Sequence, residues 1–368
     1  MSADIEDDDA LPAPLGVAQI EAFWRAFAAR EAELAALPPQ EFVEQATALL
    51  EQHAPGLGLE LEQGADGALP LLVVTAHGSL DGFENVQALV RHAPPQSHWR
   101  LQAFRSRALG SDFSMGMDGF SLACSDVLVA HYDAGGTVGL ELSFEKIIPQ
   151  DMVEHARHMS FIMLDHVLGE WDFAVRVGPV EFVDAFSDDV EGAEPLSVFP
   201  AIFDAFVREQ LGRSYEFPPA DDDSWTVFEV RRHDAADDAP PDLLTFRASA
   251  NAVATRADLP YFLEWRLPFD SQQQLDQVRD AHEALQAELE RLHGGLLAFT
   301  RIEQMDTRVA GYYVEDAVAA TELAHQLAAR HAPGLDEDVS TMFDPAWQEY
   351  LALYSAVRPG VRAGEESA

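Results

Sequence analysis

Apolar positions recur at helical spacing at the start of the chain. Phe23, Phe27 and Leu34 form one stripe within VAQIEAFWRAFAAREAELAAL. Pro38-Pro39 interrupts it, and EFVEQATALLEQHAPG predicts a second helix that stops near Pro55-Gly56. The pattern then becomes mixed. Strands are predicted over 57–64 and 69–78 about a turn in ADGALP, a helix over 83–93, and a strand over 99–104. Further strands over 121–133 and 137–145 flank a turn at Ala134-Gly135-Gly136. A helix over 152–168, a strand in WDFAVRV and a helix around 196–210 follow.

The segment YEFPPADDDS separates this stretch from a second one. Strands are predicted there over 225–231, 242–249, 260–267, 296–304 and 308–314, with helices over 272–292 and 317–331. In the longer helix Ser271 and Gln274 have the spacing of a capping box. Leu275, Val278, Leu285, Leu289 and Leu292 form its apolar stripe, with His282 in or at the edge of it. Gly294-Gly295 supplies a left-handed stop. A short last helix starts after Asp344, with Asp344 as its cap, Pro345 as its first residue and Trp347 as a docking anchor.

Hairpins with few intervening helices predict an α+β protein of two mixed domains, each a mostly antiparallel sheet with helices packed on one face. The expected boundaries are a disordered acidic tail over 1–14, an N-terminal α+β domain over 15–212, a linker over 213–224, a C-terminal domain over 225–357 and a disordered tail over 358–368.

Candidate chemistry is sparse. HARHMSFIMLDHVLGEWDF places His155, His158, His166, Asp165 and Glu170 on one broad helical face. The rise from His155 to His166 is about 16 Å, at about 1.5 Å per residue, which is too long for one metal ion. No metal and no cofactor are expected, and the histidines read as the wet border of a packed helix. Arg105 and Arg107 share a face if the strand at 99–104 continues through WRLQAFRSR, two guanidiniums able to grip a carboxylate or phosphate or to pair with local aspartates such as Asp112. His77, at the strand end TAHGSLDG, joins them as a candidate ligand-binding residue. GxGxxG, Walker, HExxH, CxxC and GxSxG patterns do not occur, so catalytic residues stay unassigned.

Charge narrows the partners. The chain carries 64 acidic and 23 basic residues, a formal net charge of -41, and Lys146 is its only lysine. Such a surface repels nucleic acid and anionic lipid and attracts a basic protein. The lone Cys124 excludes an intrachain disulfide, and the N-terminus lacks a signal-peptide pattern. A cytoplasmic protein without a membrane span is expected.

The strings WTVFEVRRH, PYFLEWRLPF, DAHEALQAELERL, GYYVED and DPAWQEY, in this order over roughly 225–354, resemble the bacterial DUF695 family, a domain of unknown function. LPLLVVTAHGSLDGFENVQALV, WRLQAFRSR and LDHVLGEWDF resemble the segment often found ahead of that domain. The resemblance implies a bacterial protein and carries no catalytic residue with it. The second domain's order of elements is also similar to the ferredoxin-like domain of acidic ribonuclease-regulator proteins. The expected function is non-enzymatic binding or regulation through recognition of a basic protein surface. The alternative is a small-molecule hydrolase or transferase acting on an anionic substrate. The oligomeric state is left open.

Overall fold

The computed structural model describes residues 13–63, 68–108, 112–117, 119–188, 190–219, 221, 223–231 and 240–357. Most of the two expected tails and the first half of the ADGALP turn therefore lie outside the described residues.

The first half opens with α1 (Val17–Leu34) and α2 (Pro39–Leu50), then β1 (Gly58–Glu62), β2 (Leu71–Thr75), α3 (Phe83–Arg91) and β3 (Arg100–Ala103). β1 and β2 are antiparallel, whereas β2 and β3 are parallel. The parallel pair follows from the α3 crossover, since a tight turn joins only antiparallel neighbours. Phe23, Phe27 and Leu34 are fully buried, as the stripe requires, and Phe27 and Phe42 pack on Trp99.

β4 (Ser114–Met117) and β5 (Phe120–Ala123) form a separate hairpin. The strand expected over 121–133 is broken at Cys124–Asp126 by a tight helical turn. Asp126 accepts from the Ala123 amide at 2.9 Å and Asp112 from the Ser125 amide at 2.8 Å, so side chains replace the ladder there. β6 (Val127–Asp133) and β7 (Val138–Phe144) are antiparallel. α4 (Val153–Leu168) leads to β8 (Val177–Phe182), parallel to β7, and β9 (Glu191–Pro195) pairs antiparallel with β6 before α5 (Phe199–Glu209). The sequence WDFAVRV is not a strand throughout. Residues Asp172–Arg176 form a wide helical turn in which Arg176 pairs with Asp172, and extended chain starts at Val177.

The second half is one antiparallel sheet of six strands. Its elements are β10 (Trp225–Val230), β11 (Asp242–Arg247), β12 (Tyr261–Pro268), α6 (Gln272–Leu292), β13 (Gly295–Glu303), β14 (Thr307–Val314), α7 (Ala317–His331), β15 (Asp338–Phe343) and α8 (Gln348–Val357). The spatial order is β10-β11-β13-β14-β12-β15. α6 and α7 cover one face through Val278, Leu285, Ala324 and Ala328 against Leu263, Trp265, Ala310 and Tyr312. The opposite face buries Phe246, Phe262, Phe299 and Tyr313 against Trp347 and Tyr350. Ser271 caps α6 as expected, but the left-handed stop is His293 (φ 54°), and Leu292 is exposed. Asp344 accepts from the amides of Gln348 and Glu349 at the start of α8, while Trp347 takes φ 57° just before it and donates from Nε1 to Leu259 O at 3.0 Å.

The architecture is therefore α+β with antiparallel and mixed sheets and packed helices. The two halves touch. Trp171 Nε1 donates to Thr255 O at 3.2 Å, and Gln87 to Ala257 O at 2.7 Å. Arg213, inside the segment that composition marks as a linker, is buried between Gly136 O and Thr255 Oγ1. No helix among the described residues is long and apolar enough to cross a membrane.

Candidate functional site

The residues singled out from the sequence meet where the ends of β1, β2 and β3 approach the end of α4. Gly169 makes this approach possible. It ends α4 at φ +82°, and a Cβ there would meet Arg105 O at 3.2 Å and the Arg107 amide at 3.3 Å. The next residue, Glu170, turns inward and is fully buried. Its Oε1 accepts from Thr75 Oγ1 (2.8 Å), the Ala76 amide (2.9 Å) and the Gly78 amide (3.0 Å). Its Oε2 accepts from the Arg105 amide at 3.0 Å, and its own amide donates to Arg105 O at 3.1 Å. A buried carboxylate is tolerated when its lone pairs are filled in this way. Glu170 is thus a strut between three chain segments, with its acceptor positions engaged by the fold itself.

His77 lies on the turn after β2 at φ 55°, exposed, with its ring over Gly58, where a Cβ would meet Nε2 at 2.5 Å. Arg105 is 10% exposed. Its Nε donates to both oxygens of Glu60 (3.0 and 3.2 Å), its Nη2 to Glu60 Oε1 (2.6 Å), and its Nη1 to Asp165 Oδ2. Arg107 points to other partners. Its Nε donates to Leu168 O at 2.9 Å, and Nη1 and Nη2 meet the two oxygens of Asp204 at 2.8 Å each, with Asp172 completing the set. The two arginines therefore pair with Glu60, Asp165, Asp172 and Asp204 rather than with Asp112. An external anion reaches either guanidinium only by displacing one of these carboxylates.

The electrostatics follow from that crowding. Burial pushes the Glu60 carboxyl up, but the Arg105 hydrogen bonds and charge outweigh it and hold Glu60 below the usual range. Asp165 goes the other way. Burial raises its pKa, Arg105 opposes, and the Glu170 charge adds to the rise. Its Oδ1 is buried without a hydrogen-bond partner, which suits a group that holds a proton readily. Arg107 is held above the usual guanidinium value because the bonds and charges of Asp204 and Asp172 outweigh burial. His77 and His166 both act on the Glu60 charge, so His77, Arg105, Asp165 and Glu170 do share one neighbourhood, with Glu60 and His166 added to it.

His155 and His166 are half-buried and His158 is exposed, along the edge of the packed face of α4. Among the described residues no three His, Cys, Asp or Glu side chains converge as metal ligands would. Cys124 is buried, and burial pushes its thiol up to about 11, away from nucleophilic use. Glu60 and Asp204 escaped sequence reasoning because each lies far along the chain from its arginine. The alternation in LGLELEQG signals a strand but not the partner of Glu60. Comparison with family models, with curated proteins and with solved structures gives no match.

Proposed function

We propose that the protein is a non-enzymatic binding or regulatory protein that recognises a basic protein surface. The observation that carries this is the fate of the arginines. Arg105, Arg107, Arg176, Arg247 and Arg266 are each tied to carboxylates inside the fold. In a chain of net charge -41, that leaves a large surplus of carboxylate facing solvent, including Asp280, Glu283 and Glu322 on the helix layer. Such a field speeds encounter with a cationic partner and disfavours nucleic acid and anionic membranes. The lone buried cysteine supports a reducing, cytoplasmic setting. The test is affinity capture at low and moderate salt, followed by kinetics with the recovered partner. A basic partner whose association slows as salt rises is expected. No reproducible partner, or one that is acidic or insensitive to salt, overturns the proposal.

The alternative, a hydrolase or transferase for an anionic substrate, draws on the gathering of His77, Arg105 and Asp165. It requires substrate to displace Glu60 or Asp204, so Glu60→Gln and Asp204→Asn would raise rather than abolish anion affinity.

Kinship with the DUF695 family is likewise a proposal. The strings that suggest it fall on β10, β12, α6, β14 and the turn into α8. We also read β12–α6–β13–β14–α7–β15 as a ferredoxin-like core. Its strand order, β13-β14-β12-β15, has the first and third strands side by side at the centre, as that fold requires, and β10–β11 extends it at the β13 edge.

A further inference from the structure

Two helices cover one face of the second half, but the sheet has six strands. α6 and α7 lie over the β12–β15 part, and the same face of the β10–β11 hairpin lies beside α6 rather than beneath it. Two cross-strand rows floor the resulting trough. One runs Val227–Thr245–Thr300, and the other Leu243–Ile302–Arg308. Trp225 and the α6 wall border it, and the open trough has a volume of about 650 Å³. That size suits a small molecule.

Arg308 ends the second row and is 9% exposed. Its Nη1 donates to Nδ1 of His282, whose fully buried ring packs edge-on against Trp265 at 4.8 Å between centroids. Accepting at Nδ1 leaves the imidazole proton on Nε2, so His282 is neutral. Burial, with the neighbouring Arg308 charge, drives its pKa well below the ordinary value in the same sense. A neutral imidazole does not balance a guanidinium. Arg105, Arg107 and Arg247, comparably buried, each hold two carboxylates, yet among the described residues no carboxylate ion-pairs with Arg308. Burial and the neighbouring Arg279 act against this cation, the charge of Glu283, outside ion-pair distance, acts in its favour, and an arriving anion relieves it.

We propose that this trough binds a small monocarboxylate with an apolar body, its carboxylate between Arg308 and the exposed Arg279, which has a long 3.8 Å ion pair to Asp276, and its body along Val227, Leu243 and Ile302. Val227, Leu243 and Ile302 fit the body, and Thr245 and Thr300 offer hydroxyls to the head. A multiply charged anion is disfavoured by the α6 wall, where Glu283 and Glu290 also line the trough. Glu290 is engaged by Arg247 at 2.6 Å, while Glu283, exposed and acting on Arg308 by its charge, repels a second negative charge on the ligand.

The experiment is calorimetric titration of the full chain with benzoate, hexanoate and inorganic phosphate at millimolar concentrations. The carboxylates bind and phosphate binds more weakly. Arg308→Met weakens carboxylate binding about tenfold or more, the scale of a charge-assisted hydrogen bond. Since that substitution alters a buried site, Arg279→Gln at the exposed rim provides an independent reading. It lowers affinity severalfold with the melting temperature unchanged. No binding of either carboxylate, phosphate binding as tight as theirs, or unchanged affinity in either variant overturns the proposal. The outcome is separate from that of the basic-partner experiment.

Discussion

Glu170 and Leu285 are both fully buried, but their surroundings have little in common. Glu170 sits among Thr75, Ala76, Gly78 and Arg105, four hydrogen-bond donors from two chain segments about 65 to 95 residues away, and is held by directed bonds. Leu285 sits in a stripe with Val278 and Leu289 against a sheet and is held by exclusion of water. Among the described residues the first half of the molecule has three separate sheets, two of them with a parallel pair, and its segments are joined by polar struts. Among the described residues the second half has one continuous sheet with an apolar cluster on each face, and it also buries Arg247, His282, Arg308 and Asp344. Where a sheet is interrupted, as at Glu170, side chains take over the work of the ladder.

This contrast can be broken at several points. The largest loss is expected from Glu170→Ala, which leaves four donors without their carboxylate. The cost is about 4 kcal/mol, from donors deprived of partners in a buried site. Urea unfolding of the full chain measures it, and a loss below about 1 kcal/mol would mean that water replaces the strut. Leu285→Ala is next, at about 3 kcal/mol, the usual cost of a cavity in a packed layer. Its effect should not change with pH, because no titrating group is removed.

Glu60→Gln sharpens the pH side of the comparison. A carboxyl held below its ordinary pKa stabilises the fold above the unfolded value and loses that contribution as pH falls through the folded one. The variant is therefore expected to be less stable than the parent at neutral pH by about 1 kcal/mol, allowing for solvent screening. The gap should close as pH falls below the ordinary carboxylate range. Asp165→Asn has the opposite sign of linkage. A carboxyl with a raised pKa contributes most below the ordinary range and loses that contribution as pH rises towards its folded value. Any penalty of Asp165→Asn at neutral pH is expected to be smaller than that of Glu60→Gln, and parallel stability curves for the two variants would contradict the assignment. The smallest effect is that of Glu283→Ala, exposed on the trough side of α6, within about 0.5 kcal/mol. Similar losses for Glu283→Ala and Leu285→Ala in the same unfolding experiment would contradict the packed stripe.

Much of the second half was legible from local pattern. The bounds of α6 and α7 agree with the expected 272–292 and 317–331, because a period near 3.6 is a property of neighbouring residues. β15 left little trace, since Asp338–Phe343 is an edge strand that is mostly exposed and has no clean alternation to announce it. In the first half, WDFAVRV carries the residues of a strand, yet the Asp172–Arg176 pair and the burial of Trp171 and Val175 hold it in a helical turn. His77, Arg105 and Arg107 were visible as residues able to do chemistry. Their partners were not, because Glu60, Asp165 and Asp204 are 45, 60 and 97 residues away from the arginines they bind.

The sequence by itself determined the α+β class, the placement of most helices and strands, the acidic character of the molecule and the apolar stripe of α6. Each of these depends on composition or on residues within a few turns of one another. Tertiary structure alone decided which cations are balanced. Arg105 and Arg107 acquired carboxylates through chain crossings that no local pattern encodes, whereas Arg308 acquired a neutral histidine and, among the described residues, no ion-paired carboxylate. Coulomb energy depends on distance in space and on burial, and neither is a function of separation along the chain.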